Sequence, residues 1–91
     1  MKIIEMPIFK KKIKKLHTNQ KEIIDKEIRK IAKNPSLGEL KKHDLSGLRV
    51  HKFHIHSQLI LLAYIVINDV IKLIYLDTHE NFYRDLKNKD F

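Results

Sequence analysis

Nine consecutive residues, Leu59-Ile60-Leu61-Leu62-Ala63-Tyr64-Ile65-Val66-Ile67, pass without a charge, and four of them (Ile60, Ile65, Val66, Ile67) are β-branched. A strand with one wet face alternates apolar and polar residues; this one does not, so both of its faces are expected to be covered. The run is too short for a bilayer, which takes about 20 apolar residues. It reads as the central strand of a small sheet. Leu48 to His56 precedes it and Val70 to Asp77 follows it, across connections at Ser57-Gln58 and Asn68-Asp69 that are short enough for hairpins. Residues 48–77 are therefore expected to form a three-stranded antiparallel meander, with the rest of the chain as its covering.

The covering is legible in the same way. Lys2 to Met6 is a short apolar segment stopped by Pro7 and is expected to be an edge strand; proline suits the first turn of a helix. Phe9, Ile13 and Leu16 then fall at i, i+4 and i+7, while Lys10, Lys11, Lys12, Lys14 and Lys15 fill the remainder. After a break at His17-Thr18, Asn19 with Glu22 has the spacing of a helix cap, and Ile24, Ile28 and Ile31 make a second stripe ending at Asn34-Pro35. Glu22 with Lys26 and Asp25 with Arg29 add acid-first pairs on the outer side. Two such helices form a hairpin with one apolar side, to be laid on one face of the sheet. Between Pro35 and Gly47 the chain is irregular, with Leu37, Leu40 and Leu45 expected to tack it to the core. Thr78 is placed to cap a short final helix, with Asn81 three residues on. The fold class is α+β, a single domain over 1–91.

Charge narrows the partners. Residues 1–33 carry eleven basic against four acidic side chains, a net of +7, whereas residues 34–91 come to +1. An excess concentrated in one third of the chain points to a polyanion or an acidic protein, or else to a lysine face kept for solubility. The absence of cysteine removes disulfides, thiolate metal sites and thiol nucleophiles, and suits a reducing cytoplasm. The N-terminus has no apolar run of signal-peptide length.

Six histidines stand out: His17, His43, His51, His54, His56 and His79. In an extended strand Lys52, His54 and His56 point to one side and Phe53 and Ile55 to the other. If the hairpin covers the Phe53/Ile55 side, the Lys/His side is open. Such a row suits phosphate, since lysine gives fixed charge and imidazole exchanges protons near neutral pH. Two other readings stand beside it. His54-x-His56 with His43, Asp77 or Glu80 has the ligand types for zinc, and the histidines can also be simply polar residues on a wet face.

The order of elements, together with His43-Asp44-Leu45-Ser46-Gly47, His54-Ile55 before the apolar strand, and Asp77-Thr78-His79-Glu80-Asn81-Phe82-Tyr83, resembles the RelE/ParE superfamily of bacterial toxins, in particular its YafQ-like RNA-cleaving branch. The resemblance implies a RelE-like fold: an N-terminal strand and helical hairpin packed on one face of a small antiparallel sheet, with a short C-terminal helix. It implies a cytoplasmic, ribosome-dependent endoribonuclease that cuts mRNA with neither metal nor other cofactor. On that likeness His43, His54 and His79 match the catalytic histidines and Tyr83 the terminal aromatic. RNA contacts would come from Lys52, His56, Arg49 and Arg84, with Lys11, Lys14 and Lys15 on ribosomal RNA. Gln58 stands where the branch has an acid and Leu61 where RelE proper has an arginine, which throws more of the chemistry onto the histidines, Lys52 and Arg84. The implied partners are a cognate antitoxin, acidic and partly disordered, and the ribosome with its mRNA; no membrane is involved, and the toxin is a monomer when not in a hetero-oligomer with its antitoxin. The alternatives are a ParE-like toxin that inhibits DNA gyrase without catalysis, and a basic RNA-binding module.

Overall fold

The computed structural model describes residues 1–41 and 47–87, with the backbone alone at position 83 and positions 85–87. Its elements run β1 (Lys2–Glu5), α1 (Pro7–Lys14), α2 (Thr18–Lys33), β2 (Glu39–Leu40), β3 (Arg49–Ile55), β4 (Gln58–Ile67), β5 (Val70–Thr78) and α3 (His79–Lys87). The meander forms as expected: β3, β4 and β5 pair antiparallel, and β4 is the middle strand of the order β1-β5-β4-β3-β2. One expectation is corrected. The sheet is not wholly antiparallel, because β1 pairs parallel to β5 with Ile3 beside Ile71. The Met6 N–H gives the last rung, to the Leu73 carbonyl at 2.9 Å. Pro7, with no N–H to offer, then opens α1, which continues along the same edge of β5.

The helical hairpin lies where the sequence puts it, but α2 begins earlier than its expected cap. His17 is the N-cap, and its backbone N–H donates to Gln20 Oε1 at 2.9 Å. Gln20 occupies the third helical position from His17, so its amide does what the glutamate of the Asn19/Glu22 spacing was expected to do. Asn34, ahead of Pro35, ends the helix at φ −140°.

Both faces of β4 are covered, which accounts for its uncharged run. On one face Phe9, Ile24 and Ile31 pack against Phe53, Ile55, Ile60, Leu62, Tyr64, Leu73 and Leu76. On the other, Leu48, Val50, Leu61, Ala63, Ile74 and Tyr75 pack with Phe82 of α3. A register slip at Ala63/Tyr64 lets two consecutive residues of β5, Ile74 and Tyr75, join this second core. At roughly 1.5–3 kcal/mol for each large apolar side chain fully buried, the two layers are the main stabilising term. The side of β3 carrying Lys52 and His54 is open as expected, while Phe82 of α3 packs on the same face further across the sheet. Ile67, at the end of the run, is also exposed.

Leu37 and Leu40 do not tack the 35–40 segment to the core, being 40% and 47% exposed. Hydrogen bonds do that work. The Tyr64 hydroxyl donates to the Pro35 carbonyl at 2.7 Å and accepts from the Gly38 N–H at 2.7 Å, and Arg49 Nη1 donates to the Gly38 carbonyl at 2.8 Å. Gly38 is needed there, since a Cβ would stand 2.7 Å from the Tyr64 ring. Leu45 lies outside the described residues.

Candidate active site and nucleic-acid interface

Alternation along β3 sorts its side chains. Phe53 and Ile55 enter the core beneath α2, so Lys52 and His54 share the opposite face, where both are exposed. His56 is not in that row. The strand ends at Ile55, and His56-Ser57 is the two-residue turn, with Ile55 paired to Gln58. His56 has φ 56°, a left-handed conformation unusual for a residue with a side chain, and it lines a cavity on the hairpin side instead.

His79 is the first residue of α3. The Asn81 N–H donates to Thr78 Oγ1 at 3.3 Å, the cap expected from the sequence. His79 lines a shallow hollow of about 340 Å³ with Ser57, Gln58, Leu59, Thr78 and Glu80. The register brings the two histidines to one end of the sheet. His54 is paired with Leu59, the next residue of β4, Ile60, is paired with Thr78, and His79 follows Thr78 as the first residue of α3, so both histidines stand at the hairpin end of the sheet. Tyr83 follows His79 by four residues in the backbone of α3. His43 lies outside the described residues.

The cations divide into two groups. Lys11, Lys14 and Lys15 are exposed on or just after α1. Arg84 is exposed and donates to Asn81 Oδ1 at 3.0 Å. Arg49, expected as a phosphate contact, is occupied with the Ser36 and Gly38 carbonyls, so binding RNA would require leaving them. Lys12 is committed as well. Its Nζ sits 2.8 Å from Asp77 Oδ2, which also accepts from the Tyr75 hydroxyl at 2.9 Å, while Asp77 Oδ1 takes the Thr78 N–H at 2.8 Å. Burial pushes the Asp77 carboxyl up, but these three donors outweigh it and hold the carboxyl below its usual range. Asp77, one of the zinc-ligand types, is thus fully engaged. Among the described residues no three His, Asp or Glu side chains gather around a metal position.

Two constellations escaped the sequence reading. Glu27 is buried, accepting from His51 Nε2 at 2.8 Å and paired with Lys30 Nζ at 2.9 Å. Burial raises its carboxyl, and the hydrogen bonds from Lys30 and His51 more than reverse this, leaving it below the ordinary glutamate range. The signal was present: Glu27 falls on the Ile24, Ile28, Ile31 stripe, and His51 alternates with Phe53 and Ile55. The second is the Tyr64 clasp on residues 35–38. Burial raises the Tyr64 hydroxyl above its usual value, so it stays protonated and keeps its donor.

Residues 3–87 match the family model described as ParE-like toxin of type II bacterial toxin-antitoxin system. The chain belongs to that family. A search of curated proteins returned no significant match. Among solved structures this ParE-like toxin is similar to the isolated Escherichia coli RelE toxin (TM-score 0.68, 18% identity, covering 96% of each chain). It is also similar to the toxin in the intact E. coli RelBE toxin–antitoxin complex (TM-score 0.66, 19% identity, 82% of this chain and 92% of that one). A conserved hypothetical protein of Helicobacter pylori, HP0894, is similar at TM-score 0.50 and 20% identity, over 88% of this chain and 96% of that one. These place the fold as RelE-like within the RelE/ParE superfamily. In this toxin Leu61 is fully buried in the second core, so no charge reaches the site from that position, while Gln58 is exposed at the hairpin end. Among the described residues no helix is long and apolar enough to cross a membrane.

Proposed function

We propose that this toxin is a ribosome-dependent, metal-independent mRNA endoribonuclease. The observation that supports it is the pair of exposed imidazoles at one end of the sheet, His54 opposite Leu59 and His79 directly after β5, with Lys52 on the same face as His54. RNA supplies its own nucleophile. One histidine takes the 2′-hydroxyl proton as the 2′-oxygen bonds to phosphorus; the other gives a proton to the departing 5′-oxygen as its P–O bond breaks. The products are a 2′,3′-cyclic phosphate and a 5′-hydroxyl. Lys52 steadies the charge that builds on the phosphoryl oxygens, and Tyr83 stacks on a base or holds the phosphate. His43 is assigned here as a third histidine of the same site. Lys11, Lys14 and Lys15 hold ribosomal RNA through its phosphates, which gives affinity and salt dependence with little sequence reading. Like RelE in its complex with an antitoxin, the toxin is neutralised by an acidic, partly disordered antitoxin laid on this basic surface in the cytoplasm. Losing one proton-transfer group costs about 10²–10⁴ in rate. Induced His54→Ala and His79→Ala variants should therefore leave mRNA 5′ ends near background, and full cutting by both variants would remove the site.

The family model's description favours one other reading, a ParE-like toxin that inhibits DNA gyrase without catalysis. Growth arrest with intact mRNA and a DNA-damage response would decide for it; immediate translation arrest decides for the nuclease.

A further inference from the structure

On the hairpin side of the same end of the sheet lies a second cavity of about 320 Å³, lined by Lys12, Leu16, Gln20, Ile24, Ile55, His56, Ser57, Gln58, Ile60, Leu76, Asp77 and Thr78. That volume is at the lower end of the range for small-ligand sites. Its construction is specific. Ile24, Ile55, Ile60 and Leu76 are buried and give it apolar walls, whereas Gln20, Ser57, Gln58 and Thr78 put neutral hydrogen-bonding groups at its rim. Its one acid, Asp77, is neutralised by Lys12 and two further donors, so nothing in the cavity repels a phosphate outside it. A ligand with flat apolar faces and polar edges fits this lining. An unpaired nucleobase has both.

We infer that this cavity takes one unstacked base of the RNA strand whose scissile phosphate lies at His54 and His79. The inference rests on the nuclease reading for its substrate. Continuity argues for it: Ser57, Gln58 and Thr78 line both this cavity and the hollow beside His79, so a strand crossing the hairpin tip has a phosphate on one side and a base on the other. His56 takes φ 56° as the first residue of its two-residue turn, as Asn68 does in the next hairpin at φ 54°, and there it lines the cavity. Gln20 has a defined polarity. Its Oε1 is used by the His17 N–H, which leaves the amide NH₂ as the donor for a base carbonyl or ring nitrogen.

The test is a nuclear magnetic resonance titration of the full chain with each of the four 5′-nucleoside monophosphates, with inorganic phosphate as the control. Saturable shifts at the Gln20 and Gln58 side-chain amides with the nucleotides, absent with phosphate, are expected. Gln20→Glu keeps the oxygen that caps α2 but removes the donor; binding should weaken about three- to tenfold, the value of one net hydrogen bond, with the melting temperature unchanged. The same variant should shift the base composition beside mRNA cut sites. Shifts confined to the His79 hollow, or an equal response to phosphate, would overturn the inference. Base binding in this cavity with mRNA left intact upholds the base site but overturns the nuclease reading and, with it, the cleaved strand as the occupant. Unaltered cutting by Gln20→Glu, with unaltered nucleotide binding, does the reverse.

Discussion

Strand β3 carries Lys52 and His54, and the buried Glu27–His51 pair ties that strand to α2. Replacing Glu27 by alanine breaks the tie. Hydrogen bonds to a charged group contribute about 1.5–3 kcal/mol each, but the two here are unequal. The Lys30 side chain is 62% exposed, so its share is screened to about 0–1 kcal/mol. His51 and Glu27 side chains are each 12% exposed, and the imidazole would lose its acceptor inside the protein. A loss of about 2–3 kcal/mol at pH 7 is expected for Glu27→Ala and about 1 kcal/mol for Glu27→Gln, which still accepts a bond. A domain of this length has about 5–14 kcal/mol in all, so both variants should fold and be measurable by urea denaturation. The pH dependence has a fixed sign. The folded Glu27 carboxyl sits below its ordinary value, so its contribution is present above about 4.3 and disappears as pH falls through the folded value. The gap between wild type and Glu27→Ala should therefore be full at pH 7 and narrow on acidification. Asp77 titrates in both proteins and cancels in the difference. A gap below about 0.5 kcal/mol at pH 7, or one that widens in acid, would refute the assignment of Glu27 as the anchor of β3.

Tyr64→Phe strands the Gly38 N–H and the Pro35 carbonyl, so a loss of about 1–3 kcal/mol and faster hydrogen exchange at the Gly38 amide are expected; unchanged exchange would show that the hydroxyl does not hold this segment. Lys12→Met removes one of three donors to Asp77 and should cost about 1 kcal/mol at neutral pH, since the lysine is partly exposed. Because the Asp77 carboxyl then rises toward its ordinary value, acid denaturation curves of variant and wild type should converge at low pH; a constant offset would argue against the pair. Replacing Lys11, Lys14 and Lys15 together by alanine should lower the salt slope of ribosome binding by about two to three, with little effect on which codons are cut. A change in cut sites without a change in slope would move these lysines from affinity to recognition.

What could be read from the chain followed from periodicity. The unbroken 59–67 run gave a strand covered on both sides, the 9/13/16 and 24/28/31 stripes gave the hairpin, and Thr78 gave the start of α3. Periodicity says which face of an element is apolar, but not what a polar residue on that face will meet. Glu27 and His51 each look like a lapse in an apolar pattern, and only docking α2 on β3 turns two lapses into one satisfied pair. The parallel β1 was hidden for a related reason: a four-residue strand has no direction of its own, and takes the one that delivers α1 to the edge of β5. The histidines show the limit most clearly. Alternation put Lys52 and His54 on one face correctly and His56 wrongly, because a two-residue turn interrupts the alternation at Ile55. With the turn where it is, His54 stays on the face of Lys52, while His56 lines the cavity on the hairpin side.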